Sequence, residues 1–135
     1  MGSVIKEIAI DAAAGIAWSA VRDVGNVHTR LVPGFVTETT LADGIRTVAF
    51  ANGIVIREAI VTIDDERRRI AYASVGGQAK HHNASIEIVS EGDTACRLIW
   101  TTDILPDALA SFILGNVEAA LPIMKKTIEA QARDA

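Results

Sequence analysis

The sequence has few of the residues that cross-link or stiffen a small protein. It has 135 residues, among them one cysteine, three prolines, two tryptophans, one tyrosine and three phenylalanines. The single cysteine, Cys96, excludes an internal disulfide and gives no sign of an oxidising compartment, so we expect a cytoplasmic protein. Half of the residues are hydrophobic and 22 are alanine. We therefore expect a core of small side chains, which can leave volume unfilled.

Charge and hydropathy exclude several classes of partner. The formal net charge is -4, and the basic residues are scattered or lie beside acids, so nucleic acid is not an expected partner. No uninterrupted apolar run approaches the roughly 20 residues of a membrane helix, and the N-terminus shows neither a signal peptide nor a lipid-anchor motif. We expect no membrane anchor and one domain spanning residues 1–135.

The apolar pattern changes period twice along the chain. A strand from Val4 to Ile10 is followed by a helical pattern over residues 12–23 and a second short helix at residues 27–31. Six alternating strands then follow, at residues 35–41, 45–51, 54–63, 69–75, 81–89 and 95–104. Asp43-Gly44 and Asn52-Gly53 are typical of tight hairpins, so these strands should pair antiparallel.

A long amphipathic helix is predicted from Asp107 to about Ala132. Its apolar positions recur at helical spacing and form a single stripe that a sheet should cover: Leu109, Phe112, Ile113, Asn116, Val117, Ala120, Leu121, Met124 and Ile128. Asn116 is the one polar member, and its amide would need partners if it were buried. The sequence therefore predicts an α+β protein with a seven-stranded antiparallel sheet.

The order of these elements and several short segments resemble a known family. The segments are Ile8-Ala9-Ile10-Asp11-Ala12, Ile16-Ala17-Trp18, Ile56-Arg57-Glu58, Ile70-Ala71-Tyr72, Leu98-Ile99-Trp100-Thr101 and Leu105-Pro106. Together they resemble the polyketide cyclase/dehydrase branch of the START-like, Bet v 1-like (SRPBCC) superfamily. The resemblance implies the helix-grip fold, with two short helices after the first strand and one long C-terminal helix across the concave face of the sheet. One departure is Leu31-Val32-Pro33, where such proteins commonly carry a tryptophan before the proline.

The resemblance implies an internal cavity between the sheet and the last helix, used for lipids, sterols, polyketides or other small hydrophobic molecules. Strand alternation nominates the side chains that face it, and the helical stripe adds two more. The candidate ligand-binding residues are Glu58, Tyr72, His82, Trp100, Phe112 and Asn116.

Glu58 is the most informative of these residues. A carboxylate in an apolar cavity must be paired, hydrated or protonated. Glu58 could pair with His82 or Tyr72 and organise the sheet, contact the ligand, or serve as a general acid or base. In the alternative register Arg57 would point inward instead.

The remaining polar residues give weaker signals. His81 and His82 are adjacent on one strand and face opposite sides, so we expect no metal site and no cofactor. We expect His81 to be exposed, and His28 to be exposed or to cap a helix. Cys96 is expected to be a buried apolar residue and not a nucleophile.

Two functions remain open at this stage. The first is a non-enzymatic binding or carrier protein for a small hydrophobic molecule. The second is a cyclase or dehydratase in which Glu58 or His82 acts as general acid or base on a polyketide-like carbonyl substrate. The sequence names neither the ligand nor the oligomeric state.

Overall fold

The computed structural model describes residues 2–77 and 79–135. The elements follow in this order: β1 (Gly2–Ile10), α1 (Ala14–Arg22), α2 (Val27–Arg30), β2 (Val36–Ala42), β3 (Ile45–Phe50), β4 (Val55–Asp64), β5 (Arg69–Ser74), β6 (His81–Ser90), β7 (Cys96–Leu105), a 3₁₀ turn (Asp107–Leu109) and α3 (Ala110–Arg133). The predicted element order and the helix-grip architecture are confirmed.

The seven strands form one antiparallel sheet. Their order is β1-β7-β6-β5-β4-β3-β2, so α1 and α2 carry the chain from one edge of the sheet to the other. Asp43 and Gly44 have φ values of 54° and 76°, and Gly53 has 91°. These left-handed conformations suit glycine and acidic turn residues, which is why the two dipeptides form the connections of β2 to β3 and of β3 to β4.

The sheet buries one face and leaves the other open. On β7, Cys96, Leu98, Thr102 and Ile104 are buried, whereas the residues between them are only half-buried. The strand register shifts between Val36 and Glu38 on β2 and again on β4. Such bulges bend a strand and increase its twist, so they help the sheet curve around the helices.

The C-terminal half of α3 is firmly attached to the rest of the molecule. Its buried residues are Val117, Ala120, Leu121, Met124 and Ile128. The ammonium of Lys125 donates to the carbonyl of Ala9 at 2.9 Å, and the amide of Asp11 donates to the carboxylate of Glu129 at 2.8 Å. These polar contacts hold this part of the helix against the end of β1.

The N-terminal half of α3 corrects one expectation. The stripe was predicted to be covered along its whole length, but Phe112 is 56% exposed and Ile113 and Asn116 are only half-buried. Burial begins at Val117, and the turns before it border a pocket that Phe112 and Asn116 help to line.

The segment Asp107–Arg133 is long and apolar enough to cross a membrane, judged by length and composition alone. Core helices of soluble proteins pass the same test, and the C-terminal half of α3 is buried against the rest of the molecule from Val117 to Ile128.

Candidate functional site

A cavity of about 80 Å³ lies between the concave face of the sheet and α3. We call it the inner cavity. Its wall is mainly apolar and comes from strands β2 to β7, helices α2 and α3, and the connection of α2 to β2: Val27, Leu31, Val32, Phe35, Val36, Arg46, Val48, Phe50, Glu58, Ile70, Tyr72, Ile86, Trp100, Ala120 and Met124. Leu31 and Val32 are part of this wall, so the departure from the family's tryptophan alters the lining itself.

Arg46 and Glu58 form an ion pair in the wall of the inner cavity. They are direct cross-strand partners on β3 and β4. The Nε atom of Arg46 donates to Oε1 of Glu58 at 2.9 Å, and its Nη2 atom lies 2.8 Å from the same oxygen. The two side chains are only 5% and 13% exposed, so the pair is largely shielded from water.

The position of Glu58 settles the question of register. Glu58 lines the inner cavity, whereas Arg57 is exposed on the other face of β4. The partner of Glu58 is Arg46, and neither His82 nor Tyr72 is bonded to it. Sequence reasoning missed Arg46, although alternation with Val48 on β3 was a usable signal for its inward direction.

Glu58 keeps one oxygen free for other contacts. Both close contacts of Arg46, the Nε hydrogen bond and the Nη2 ion pair, are with Oε1, and Oε2 accepts no hydrogen bond from the described residues. Among the described residues, the side-chain atoms that are fully buried and lack a partner are His28 Nδ1 and Thr39 Oγ1. Oε2 of Glu58 is not one of them, so this oxygen remains accessible. Burial raises the pKa of Glu58, and the charge and hydrogen bond of Arg46 oppose that rise.

Tyr72 and Trp100 extend this polar cluster along the wall. The indole Nε1 of Trp100 donates to the phenol oxygen of Tyr72 at 3.1 Å. The guanidinium carbon of Arg46 lies 4.8 Å from the centre of the Tyr72 ring, within the range of a cation–π contact. Burial raises the pKa of Tyr72, and the nearby Glu58 charge adds to the effect, so the phenol stays protonated at neutral pH.

His82 lies in a different pocket. Its Nδ1 is 3.0 Å from the hydroxyl of Ser74, and both residues line a polar pocket of about 260 Å³ beside the connection of β5 to β6. Burial and the neighbouring His81 lower the pKa of His82. Sequence alternation grouped His82 with Glu58, but His82 does not line the inner cavity. His81 is exposed, as expected, and contacts Asn83.

Phe112 and Asn116 line an outer pocket of about 220 Å³ at the uncovered end of α3. Phe35 and Phe50 belong to both this pocket and the inner cavity, and their rings meet edge to face at 5.7 Å between centroids. The outer pocket has no ionisable side chain in its lining. The two spaces therefore adjoin, with the apolar pocket outside and the ion pair inside.

Among residues 2–77 and 79–135, no group of three or more histidine, cysteine, aspartate or glutamate side chains could hold a metal ion.

Several solved structures share this architecture. Norcoclaurine synthase from Thalictrum flavum, in complex with dopamine and hydroxybenzaldehyde, is 17% identical, with 98% of this chain and 86% of that chain covered and a TM-score of 0.75. A START superfamily protein from Mycobacterium smegmatis is 14% identical, with 99% of both chains covered and a TM-score of 0.74. A protein from Thermobifida fusca is 23% identical, with 97% and 95% covered and a TM-score of 0.79. At these identities the likeness concerns the fold.

The sequence itself gives the family. No curated protein matches the chain. The family model described as polyketide cyclase / dehydrase and lipid transport matches residues 1–133, almost the full length given. The chain therefore belongs to the polyketide cyclase / dehydrase and lipid transport family.

Proposed function

We propose that this protein binds a small hydrophobic molecule carrying one polar group, without transforming it. The apolar part of the ligand occupies the outer pocket and the wall region near Met124, and the polar group reaches Arg46, Glu58 and Tyr72. The observation that carries the proposal is the arrangement of the lining. The outer pocket has no ionisable side chain, and the charges of the inner cavity form one shielded pair, Arg46 and Glu58.

The size of the two spaces limits the ligand. Neither the 80 Å³ inner cavity nor the 220 Å³ outer pocket reaches the roughly 300 Å³ at the lower end of drug-sized sites. A ligand of one or two fused rings, or a short acyl chain, suits spaces of this kind. Each buried methylene contributes roughly 0.8 kcal/mol to binding before the cost of immobilising the ligand.

The geometry favours a binding protein over a cyclase or dehydratase. General acid–base catalysis on a carbonyl substrate needs groups that exchange protons near neutral pH and converge on one reacting atom. The ionisable residues lining the inner cavity are Arg46, Glu58 and Tyr72. Arginine side chains in general do not act as bases near neutral pH, and the phenol of Tyr72 resists ionisation. Glu58 is then the one candidate acid or base among these three, while His82 lines another pocket.

Native mass spectrometry of the protein purified from cells tests the proposal. We expect a co-purifying apolar compound, released when the protein is denatured. The control is Val32→Trp, which places an indole in the cavity wall at the position where the family commonly has one and should reduce the bound fraction. A wild-type protein that stays empty, both after purification and after incubation with small aromatic compounds, would contradict the proposal.

We also propose that the protein acts in the cytoplasm. The support is the single cysteine, Cys96, which is free and buried. The net charge of -4 gives no support for a nucleic-acid partner.

A further inference from the structure

We propose that the polar group of the ligand is a neutral hydroxyl, which donates its hydrogen to Oε2 of Glu58 and accepts one from the phenol of Tyr72. This inference rests on the proposed binding function and specifies the chemical class of the ligand.

The acceptor half of the site is the free oxygen of Glu58. Arg46 meets Glu58 at Oε1 through one hydrogen bond and the ion pair, which stabilises the ionised carboxylate in the wall and leaves Oε2 accessible beside the cavity. A carboxylate oxygen accepts hydrogen bonds and cannot donate them while it is ionised. The ligand atom facing Oε2 must therefore carry a hydrogen.

The donor half is the phenol of Tyr72. Trp100 donates its indole N–H to the phenol oxygen, so the phenol hydrogen points away from that contact. No described residue accepts this hydrogen, and Tyr72 lines the inner cavity together with Glu58. The ligand atom facing Tyr72 must therefore offer a lone pair.

A single hydroxyl meets both demands. A ligand carboxylate would bring a second negative charge beside Glu58, whose charge already offsets that of Arg46. A cationic amine could donate to Glu58, but it would leave the Tyr72 hydrogen without an acceptor and would face the guanidinium near the Tyr72 ring. An ether or ketone would accept from Tyr72 and leave Oε2 of Glu58 without a donor. Leaving a desolvated polar group unpaired costs affinity, so the site should discriminate among these groups.

Four compounds that share one ring system test this inference: 2-naphthol, 2-methoxynaphthalene, naphthalene and 2-naphthoate. Their dissociation constants for the wild-type chain are measured by calorimetry at pH 7. We expect 2-naphthol to bind about tenfold more tightly than 2-methoxynaphthalene, which lacks one of the two hydrogen bonds, and about a hundredfold more tightly than naphthalene, which lacks both. We expect 2-naphthoate to bind more weakly than naphthalene.

Two variants assign the roles of the residues. Tyr72→Phe should weaken 2-naphthol about tenfold and leave naphthalene unchanged, and Glu58→Gln should reduce the preference for 2-naphthol over 2-methoxynaphthalene. Unchanged naphthalene binding shows that the cavity of each variant is still formed. Ser74→Ala is the matched control, because Ser74 lies two residues from Tyr72 on β5 but lines the separate pocket. It should leave all four affinities unchanged.

The outcomes separate the two proposals. Equal affinities for 2-naphthol and naphthalene would overturn the hydroxyl inference and leave the binding function standing. Tightest binding of 2-naphthoate would overturn the inference in favour of an anion bound by Arg46. Absence of binding by all four compounds, with an empty protein in native mass spectrometry, would contradict the proposed function itself.

Discussion

We expect the Arg46–Glu58 pair to add little to the stability of the fold compared with an apolar pair of similar size, and a double-mutant cycle tests this expectation. Removing one member of a shielded ion pair leaves the other charge uncompensated, which typically costs about 3–5 kcal/mol. Arg46 is 5% exposed and also contacts the carbonyl of Val24 and the ring of Tyr72. We therefore expect Arg46→Met to lower the free energy of unfolding by about 3–5 kcal/mol at pH 8.

Replacing both partners should restore most of that loss. A double variant, Arg46→Met with Glu58→Leu, fills the same space with apolar side chains, and such replacements are often neutral or stabilising by about 1–4 kcal/mol. The double variant should also lose part of the preference for 2-naphthol over naphthalene, because it keeps the wall of the inner cavity but lacks the Glu58 carboxylate that accepts the ligand's hydrogen bond. Urea unfolding followed by tryptophan fluorescence measures the free energy of unfolding of wild type, Arg46→Met, Glu58→Leu and the double variant. Equal m values for the four proteins check that unfolding stays two-state.

The cycle also has a pH dependence with a defined sign. Burial already raises the pKa of Glu58 above its ordinary value of 4.5, against the effect of Arg46. Without Arg46 the pKa should rise further. A raised carboxyl pKa in the folded state favours folding below the unfolded pKa, and this contribution is lost as pH rises through the folded pKa. The gap in stability between wild type and Arg46→Met should therefore be smaller at pH 5 than at pH 8.

Two results would refute this reasoning. One is a loss of less than about 1 kcal/mol in Arg46→Met, which is the range of an exposed pair. The other is a double variant as unstable as the sum of the single changes, which would mean that the two residues stabilise the fold independently.

Three further predictions concern packing and reactivity. Ile128→Ala should lower the free energy of unfolding by about 2–5 kcal/mol because Ile128 is fully buried. Phe112→Ala should change it by less than about 1 kcal/mol because the Phe112 ring is largely exposed. Equal losses of the two variants in urea unfolding would contradict the uncovered N-terminal end of α3. Tyr72→Phe should cost about 1–3 kcal/mol, since the indole N–H of Trp100 loses its acceptor, and a variant as stable as wild type would show that this bond is replaced. Burial raises the pKa of Cys96, so a thiol reagent at pH 8 should label it only after unfolding, and rapid labelling of the native protein would contradict its burial.

Local sequence signals were sufficient for the strands and their hairpins, whereas the helix-grip arrangement was implied by the family resemblance. Asp43-Gly44 and Asn52-Gly53 marked the hairpins because their backbone conformations restrict the residue type, and period-two alternation identified the strands to within about one or two residues. The inward direction of Glu58 followed from the same alternation. These features depend on a few neighbouring residues, which is why one sequence reveals them.

The candidate site was harder to predict from the sequence, because it depends on how distant strands pair and on where α3 crosses the sheet. Pairing Arg46 with Glu58 requires the exact register of β3 on β4, which the connecting loop sets. Alternation correctly placed His82 on one face of β6 but carried no information on where along that face α3 crosses. For the same reason the sequence did not predict that the N-terminal end of α3, at Phe112, is left uncovered.

Methyl NMR during a titration with 2-naphthol tests the central claim, a ligand-accessible hollow between sheet and α3, most directly. The account predicts saturable shifts for methyl groups of the cavity wall at Val48, Ile70, Ile86 and Met124, and none for Val21 in the core beneath α1. Saturable binding that shifts only exposed methyl groups such as those of Val61 and Val89 would contradict it.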